Sequence, residues 1–179
     1  LKQFEDEMVS HLKKFFPKYY GIYSEPLIRQ VIQYGIERAK IYGFLTKRDT
    51  PLYIDLMLLL GSHFDEDGQY PWSRQILSDK AIEDPIAKAD QLYDRAVKFL
   101  DEVSGKENEY LGRALLRIRE ISLDNYSKDA AANSQARMAS LLQEIWPQKY
   151  RILGEDIVNE LIESSNESTR KYEMSSEQG

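Results

Sequence analysis

Apolar side chains recur every three or four residues along most of the chain, a spacing typical of amphipathic α-helices. The clearest series lies between Ser24, a candidate N-cap, and Gly43, a candidate C′ residue. Thr46 and Asp49 form the pattern of a capping box, which opens a second series that ends at Gly61. Further helical series occupy residues 4–15, 73–77, 84–105, 110–121, 138–145 and 152–162. No stretch alternates with a period of two for long enough to predict a strand.

This pattern predicts an all-α fold, an irregular single-domain bundle of about seven or eight helices over residues 1–163. Residues 164–179 are mainly Ser, Glu and Asn, with only Tyr172 and Met174 apolar. Such a composition buries too little apolar surface to offset the entropy of ordering, so we expect a disordered, flexible C-terminal tail. The core positions that we expect are Ile32, Ile36, Leu56, Leu59, Leu115 and Leu142.

The chain is acidic, with 24 Lys and Arg against 30 Asp and Glu and a net charge of -6. A negative net charge disfavours the binding of phosphate backbones, so nucleic acid is not an expected partner. The charge is uneven, because residues 63–110 hold 12 acids and 6 bases. This asymmetry favours a basic protein partner, and the alternative is a solvated acidic face that keeps the protein soluble.

The acidic stretch from His63 to Glu109 is therefore the predicted partner-facing surface. Its carboxylates would steer a basic partner, and its two neighbouring aromatic side chains would supply an apolar anchor. The predicted partner-binding residues are Asp65, Glu66, Asp67, Tyr70, Trp72, Glu83 and Asp84. The alternative for Tyr70 and Trp72 is packing over the core, since aromatic side chains bury large areas.

No sequence motif predicts a catalytic, cofactor or metal site. The chain has no Cys, no glycine-rich phosphate loop and only two histidines, His11 and His63. His63 with Asp65 and Asp67 is the one candidate corner for a hard metal ion, although its spacing does not match a calcium-binding loop. We therefore expect a non-enzymatic protein without cofactor or metal.

An enzyme remains a lesser alternative, and its candidate residues are Asp55, His63 and Asp67. Asp55 interrupts an apolar helix, where a buried carboxylate needs a partner. Arg38 and Arg48 are the candidate partners, and a structural ion pair is favoured over acid or base catalysis.

Three segments together carry a resemblance. They are YGIERAKIYG at residues 34–43, Arg48 and Asp49 followed by YIDLM at residues 53–57, and FDED at residues 64–67 followed by YPW at residues 70–72. Over residues 4–100 the chain resembles a family of small helical bacterial proteins encoded beside type VI secretion effectors and polymorphic toxins.

The resemblance implies a cytoplasmic protein that binds a protein partner. The favoured role is an immunity protein that neutralises a cognate toxin, and the alternative is an adaptor or chaperone that loads a secretion effector. The longest apolar run, residues 56–60, is far shorter than the ~20 residues that cross a bilayer, so no membrane span is expected.

Overall fold

The computed structural model describes residues 2–121 and 134–172, and the regular structure of these residues is helical, without strands. The all-α class is therefore confirmed. The helices are α1 (Lys2–Phe15), α2 (Pro17–Ile22), α3 (Glu25–Ile41), α4 (Asp49–Leu60), α5 (Pro71–Ser78), α6 (Pro85–Ser104), α7 (Glu109–Glu120), α8 (Ser134–Ile145) and α9 (Pro147–Lys171). A 3₁₀ turn at Lys106–Asn108 precedes α7. Each helix predicted from the sequence has a counterpart, and the short helix α2 is additional.

The predicted helix boundaries of α3 and α4 are confirmed by their local geometry. Ser24 is the N-cap of α3, and Gly43 after its end has a φ of +79°, a conformation that favours glycine. The backbone N–H of Thr46 donates to Asp49 Oδ1 at 2.7 Å, and the backbone N–H of Asp49 donates to Thr46 Oγ1 at 3.3 Å. These reciprocal bonds have the form of the predicted capping box, and they close the turn that leads into α4, which begins at Asp49.

The chain divides into two compact units, Leu1–Ala96 and Val97–Gly179, and the division falls within α6. The single domain predicted over residues 1–163 thus includes the whole first unit and part of the second. Within the predicted tail, residues 164–171 are helical, because α9 continues through Lys171. The rest of that tail, residues 173–179, lies outside the described residues.

The core of the first unit forms where α1, α3 and α4 pack together. Ile32 and Ile36 of α3 pack with Ile54 of α4, and Leu56 is 1% exposed, so three predicted core positions are confirmed. Leu59 was predicted as core, and that prediction is wrong, since its side chain is 47% exposed. The buried stripe of α4 runs through Tyr53, Leu56, Met57 and Leu60, and Leu59 projects away from this stripe.

The second unit has a smaller core, in which Ala139 of α8 packs with Val158 and Ile162 of α9. The predictions for Leu115 and Leu142 are wrong, because these side chains are 58% and 38% exposed. Alanines occupy the buried positions of the same two helices, so the stripes of larger residues do not mark the buried faces. Among the residues that the structure describes, no helix has both the length and the apolar character needed to cross a bilayer.

Candidate functional site

The acidic loop between α4 and α5 is anchored to α3 by a buried ion pair. The side chain of Asp65 has no exposed surface, and it accepts a hydrogen bond from the guanidinium of Arg38. The Tyr42 hydroxyl donates to Asp65 Oδ2 at 2.7 Å. Arg38 also reaches Glu66 Oε1 at 2.9 Å, so two consecutive acids of the loop are held by one guanidinium.

The protonation states of this cluster are fixed at neutral pH. Burial alone would raise the pKa of Asp65, but hydrogen bonds from Tyr42 and Arg38 hold that pKa below its ordinary value. Burial also raises the pKa of the Tyr42 and Tyr53 phenols above their ordinary value of 10.0. Asp65 therefore remains charged and both phenols remain neutral, which suits a structural anchor better than proton transfer.

Three of the predicted partner-binding residues are buried rather than at the surface. Asp65 is 2% exposed, and Tyr70 and Trp72 are each 7% exposed, so these three residues lie inside the first unit. The Tyr70 hydroxyl donates to the carbonyl of Leu60 at 3.3 Å, and burial raises its pKa to about 12. The Arg95 guanidinium lies 5.5 Å from the centre of the Trp72 ring. The alternative reading of the two aromatics as core packing is therefore correct.

The other predicted binding residues lie at or near the surface. Glu66 and Glu83 are exposed, and Asp67 is half-buried, where its carboxylate accepts from the backbone N–H of Gln69 at 2.8 Å. Asp84 is exposed and caps α6, accepting from the backbone N–H of Ile86 at 3.1 Å. These carboxylates shape the loops, and they also leave negative charge at the surface.

The partner of Asp55 is a histidine that the sequence did not indicate. His11 Nε2 lies 2.9 Å and 3.0 Å from the two carboxylate oxygens of Asp55, and burial raises the pKa of Asp55. The predicted partners are wrong, because Arg38 pairs with Asp65 and Arg48 pairs with Asp90 at 2.8 Å. The interaction across α1 and α4 is the kind of structural pair that the sequence predicted, with a different partner.

The alternative catalytic residues are engaged separately. Asp55 contacts His11, whereas the His63 ring lies against the Tyr34 hydroxyl at 3.2 Å and Asp67 caps its own loop. The candidate metal corner is also not assembled, since Asp65 turns inward to Arg38. In the described part of the chain, no group of three or more His, Asp or Glu side chains is placed to hold a metal ion.

A surface that the sequence analysis did not predict is an apolar groove in the first unit, which we call the α2 groove. It has a volume of about 250 Å³ and lies between the end of α1, α2, the start of α3 and one residue of α4. Its lining residues are Leu12, Phe16, Tyr19, Tyr20, Tyr23, Leu27, Ile28, Val31 and Leu58. The available signal was the aromatic run at residues 15–23, whose Pro17 begins a helix as well as ending one.

Comparison with known proteins adds no relative. No protein-family model, no curated protein sequence and no solved structure matches this chain. The fold and the surface thus define an all-α protein that carries a buried ion-pair anchor, exposed acidic residues and an apolar groove. The function has to be inferred from these features.

Proposed function

We propose that the protein is a non-enzymatic immunity protein that binds and neutralises a basic cognate toxin. The observation that carries this proposal is the charge at the surface of residues 66–94, which we call the acidic segment. It presents five exposed acids, namely Glu66, Asp79, Glu83, Asp84 and Asp94, against the exposed bases Arg74 and Lys80. A surface of one prevailing sign attracts a partner of the opposite sign and accelerates their association.

Local hydrogen bonds hold part of this charge in place before any partner arrives. Asp79 accepts from the backbone N–H of Ala81 at 2.8 Å, and Asp84 accepts from the backbone N–H groups that begin α6. Glu66 is held by Arg38. Carboxylates that are already positioned lose less conformational entropy on binding than free side chains do. This arrangement suits recognition of a fixed set of cations on a protein surface.

The engagement of the candidate catalytic side chains also supports a binding role. Asp55 is hydrogen-bonded to His11, and the Asp65 cluster keeps its protonation state near neutral pH. The resemblance to proteins encoded beside secreted toxins favours immunity as the form of binding. An adaptor that loads a secretion effector is the alternative, and growth and secretion assays separate the two.

The test measures bacterial growth while the proposed co-encoded toxin is expressed, with and without this protein. The host is the bacterium that encodes the toxin. The informative variant carries Asp79→Lys, Glu83→Lys and Asp94→Lys, which spares the helix cap at Asp84. A matched control carries Glu160→Lys, Glu163→Lys and Glu167→Lys, which makes the same charge change on exposed residues of α9. Circular dichroism verifies that both variants are folded.

We expect the wild type and the α9 control to restore growth and the acidic-segment variant to fail. The intact mass of the toxin should be unchanged, because inhibition is by binding. An adaptor would give a different pair of results. Killing by the toxin would continue when this protein is present, and secretion of the effector would be lost in a strain that lacks this protein. A toxin that is covalently altered by this protein would overturn the non-enzymatic proposal.

A further inference from the structure

The α2 groove is open to solvent although its walls are aromatic and aliphatic. Three of its lining residues are exposed, namely Tyr19 at 42%, Tyr23 at 47% and Leu27 at 42%. Exposed apolar side chains scattered singly are ordinary, but a contiguous set around one concavity marks an interaction site. The groove is built on α1, α3 and α4, which also supply the core of the first unit, so its walls are well supported.

The segment that forms the α1 and α2 side of the groove carries positive charge. Residues 8–24 contain Lys13, Lys14 and Lys18 and no Asp or Glu, whereas the whole chain has a net charge of -6. The Lys13 ammonium lies 5.4 Å from the centre of the Tyr20 ring, and the Lys14 ammonium lies 5.0 Å from the centre of the Phe15 ring. The Lys13 cation is thus placed beside Tyr20 of the groove wall, and Lys14 and Lys18 belong to the same segment of the chain.

These three cations are not neutralised within the described residues, where each of them is exposed and forms no salt bridge. Asp6 of α1 and Glu25 of α3 are already engaged, since Arg29 pairs with each of them at 2.8 Å. A partner that covers the groove would therefore meet unpaired positive charge. Charge complementarity calls for carboxylates around an apolar face.

The shape of the groove selects the kind of partner. Its volume of about 250 Å³ is below the ~300–1,000 Å³ of a pocket that encloses a small molecule, and suits a few inserted side chains. Its walls are helices with internally bonded backbones, so no strand edge is offered there for a peptide to extend. A bilayer is better engaged by apolar side chains on a protruding face than by the walls of a concavity.

We infer that the α2 groove binds an amphipathic α-helix of a partner protein, a helix whose apolar residues enter the groove and whose flanking acids pair with Lys13, Lys14 and Lys18. This is recognition of a helix in a groove, with anchors spaced at i, i+3 or i+4 and i+7. The inference does not depend on the acidic segment, because the two surfaces have opposite charge and select different partner chemistry.

The test is selection from a displayed library of helical peptides against the full-length protein. Four apolar positions at helical spacing sample Leu, Ile, Met and Phe, and the flanking positions sample Glu, Gln and Lys. We expect the selected helices to be enriched in Glu at the flanks. One selected helix is then synthesised, together with a control peptide in which its flanking Glu residues are replaced by Lys. The selected peptide should bind the wild-type protein at least about tenfold more tightly than the control peptide, and added salt should weaken its binding.

Two variants connect that binding to the groove. The double variant Leu27→Glu, Tyr23→Glu should bind the selected peptide at least about tenfold more weakly. The control variant Ile41→Glu, at another exposed apolar position, should bind the peptide as the wild type does. Replacement of Lys13, Lys14 and Lys18 by Glu should reverse the preference toward Lys-flanked helices. The inference is overturned if no helix is enriched, if the enriched flanks are Lys or mixed, or if the groove variants bind as the wild type does.

Two other occupants of the groove, a membrane surface and a second copy of this chain, would give different results. Cosedimentation of the wild type with phosphatidylserine vesicles, lost in the Leu27→Glu, Tyr23→Glu variant, would assign the groove to a membrane surface. A dimer in sedimentation equilibrium that the same variant dissociates would assign it to a second copy of the chain. Either result would overturn the inference of a partner helix, and neither would alter the immunity assay on the acidic segment.

Discussion

Removal of Arg38 should destabilise the first unit far more than removal of a comparable surface arginine. In Arg38→Ala, the carboxylate of Asp65 keeps its hydrogen bond from Tyr42. It loses the cationic partner that it has among the described residues, and it remains buried. Removal of one partner of a buried ion pair lowers the free energy of unfolding by about 3 to 5 kcal/mol. Because 15% of the Arg38 side chain is exposed and water can follow its removal, we expect about 3 kcal/mol.

The matched control is Arg29→Ala on the same helix. Arg29 pairs with Asp6 and Glu25, whose side chains are 50% and 48% exposed. Ion pairs at this exposure are screened by solvent and contribute about 0 to 1 kcal/mol. The two variants thus remove the same type of side chain from α3 and differ in the burial of the carboxylate that is left behind.

The assay is urea denaturation monitored by tryptophan fluorescence. Trp72 lies in the first unit and Trp146 in the second, so a Trp146→Phe background reports on the first unit. The double variant Arg38→Met, Asp65→Leu should lose less stability than Arg38→Ala, because it leaves no unpaired charge in the interior. A loss below about 1 kcal/mol for Arg38→Ala, equal to that of Arg29→Ala, would refute the role of the anchor.

The same anchor predicts a pH dependence. The pKa of Asp65 is lower in the folded protein than its ordinary value of 3.8, so below that value the unfolded chain binds the proton first. The stability from Asp65 is present above about pH 4 and is lost as the pH falls further. Asp65→Asn should remove this part of the acid sensitivity.

Asp55 predicts a pH dependence of the opposite sign. The pKa of Asp55 is raised in the folded protein, so the stability linked to its titration is lost as the pH rises. In urea melts at several pH values, Asp55→Asn should therefore change the dependence of stability on pH in the sense opposite to Asp65→Asn.

Three further stability predictions use urea melts of the same kind. Leu56→Ala should cost about 2 to 5 kcal/mol and Leu59→Ala well under half of that, because only Leu56 is buried, and equal losses would contradict the burial of α4. Gly35→Ala should cost about 1 to 3 kcal/mol, since its Cβ would meet Ile54 Cγ1 at 2.7 Å, whereas Gly112→Ala has open space and should stabilise α7 by about 0.5 to 1 kcal/mol. Thr46→Ala should cost about 0.5 to 2 kcal/mol through loss of the capping box, and no loss would show that the cap is dispensable.

Helix boundaries could be predicted because their causes are local. The capping box at Thr46 and Asp49 and the positive φ at Gly43 and Gly61 involve residues that are neighbours in the sequence. The buried faces were harder to predict, as Leu59 and Leu115 show. A stripe of apolar residues indicates that a helix has an apolar face, but the neighbouring helices decide which side is covered.

The candidate surface was predicted only in part, because a charge count treats all carboxylates alike. Asp65 is separated by 27 residues from Arg38, and their pairing removes it from the surface that Glu83 and Asp84 still occupy. The α2 groove was missed for a related reason. Pro17 was interpreted as the end of α1, although proline is also favoured in the first turn of a helix, and here it begins α2.

Direct binding to a toxin encoded beside this protein, the partner that we propose, is the measurement that bears most closely on the proposed function. Purified full-length protein and a catalytically inactivated toxin would be mixed at low and at high salt, and association and dissociation rates would be recorded. We predict a stable complex whose association slows with salt more than its dissociation accelerates, and which the acidic-segment variant weakens about tenfold or more. Absence of a complex, or a complex that neither salt nor the acidic-segment variant affects, would contradict the proposal.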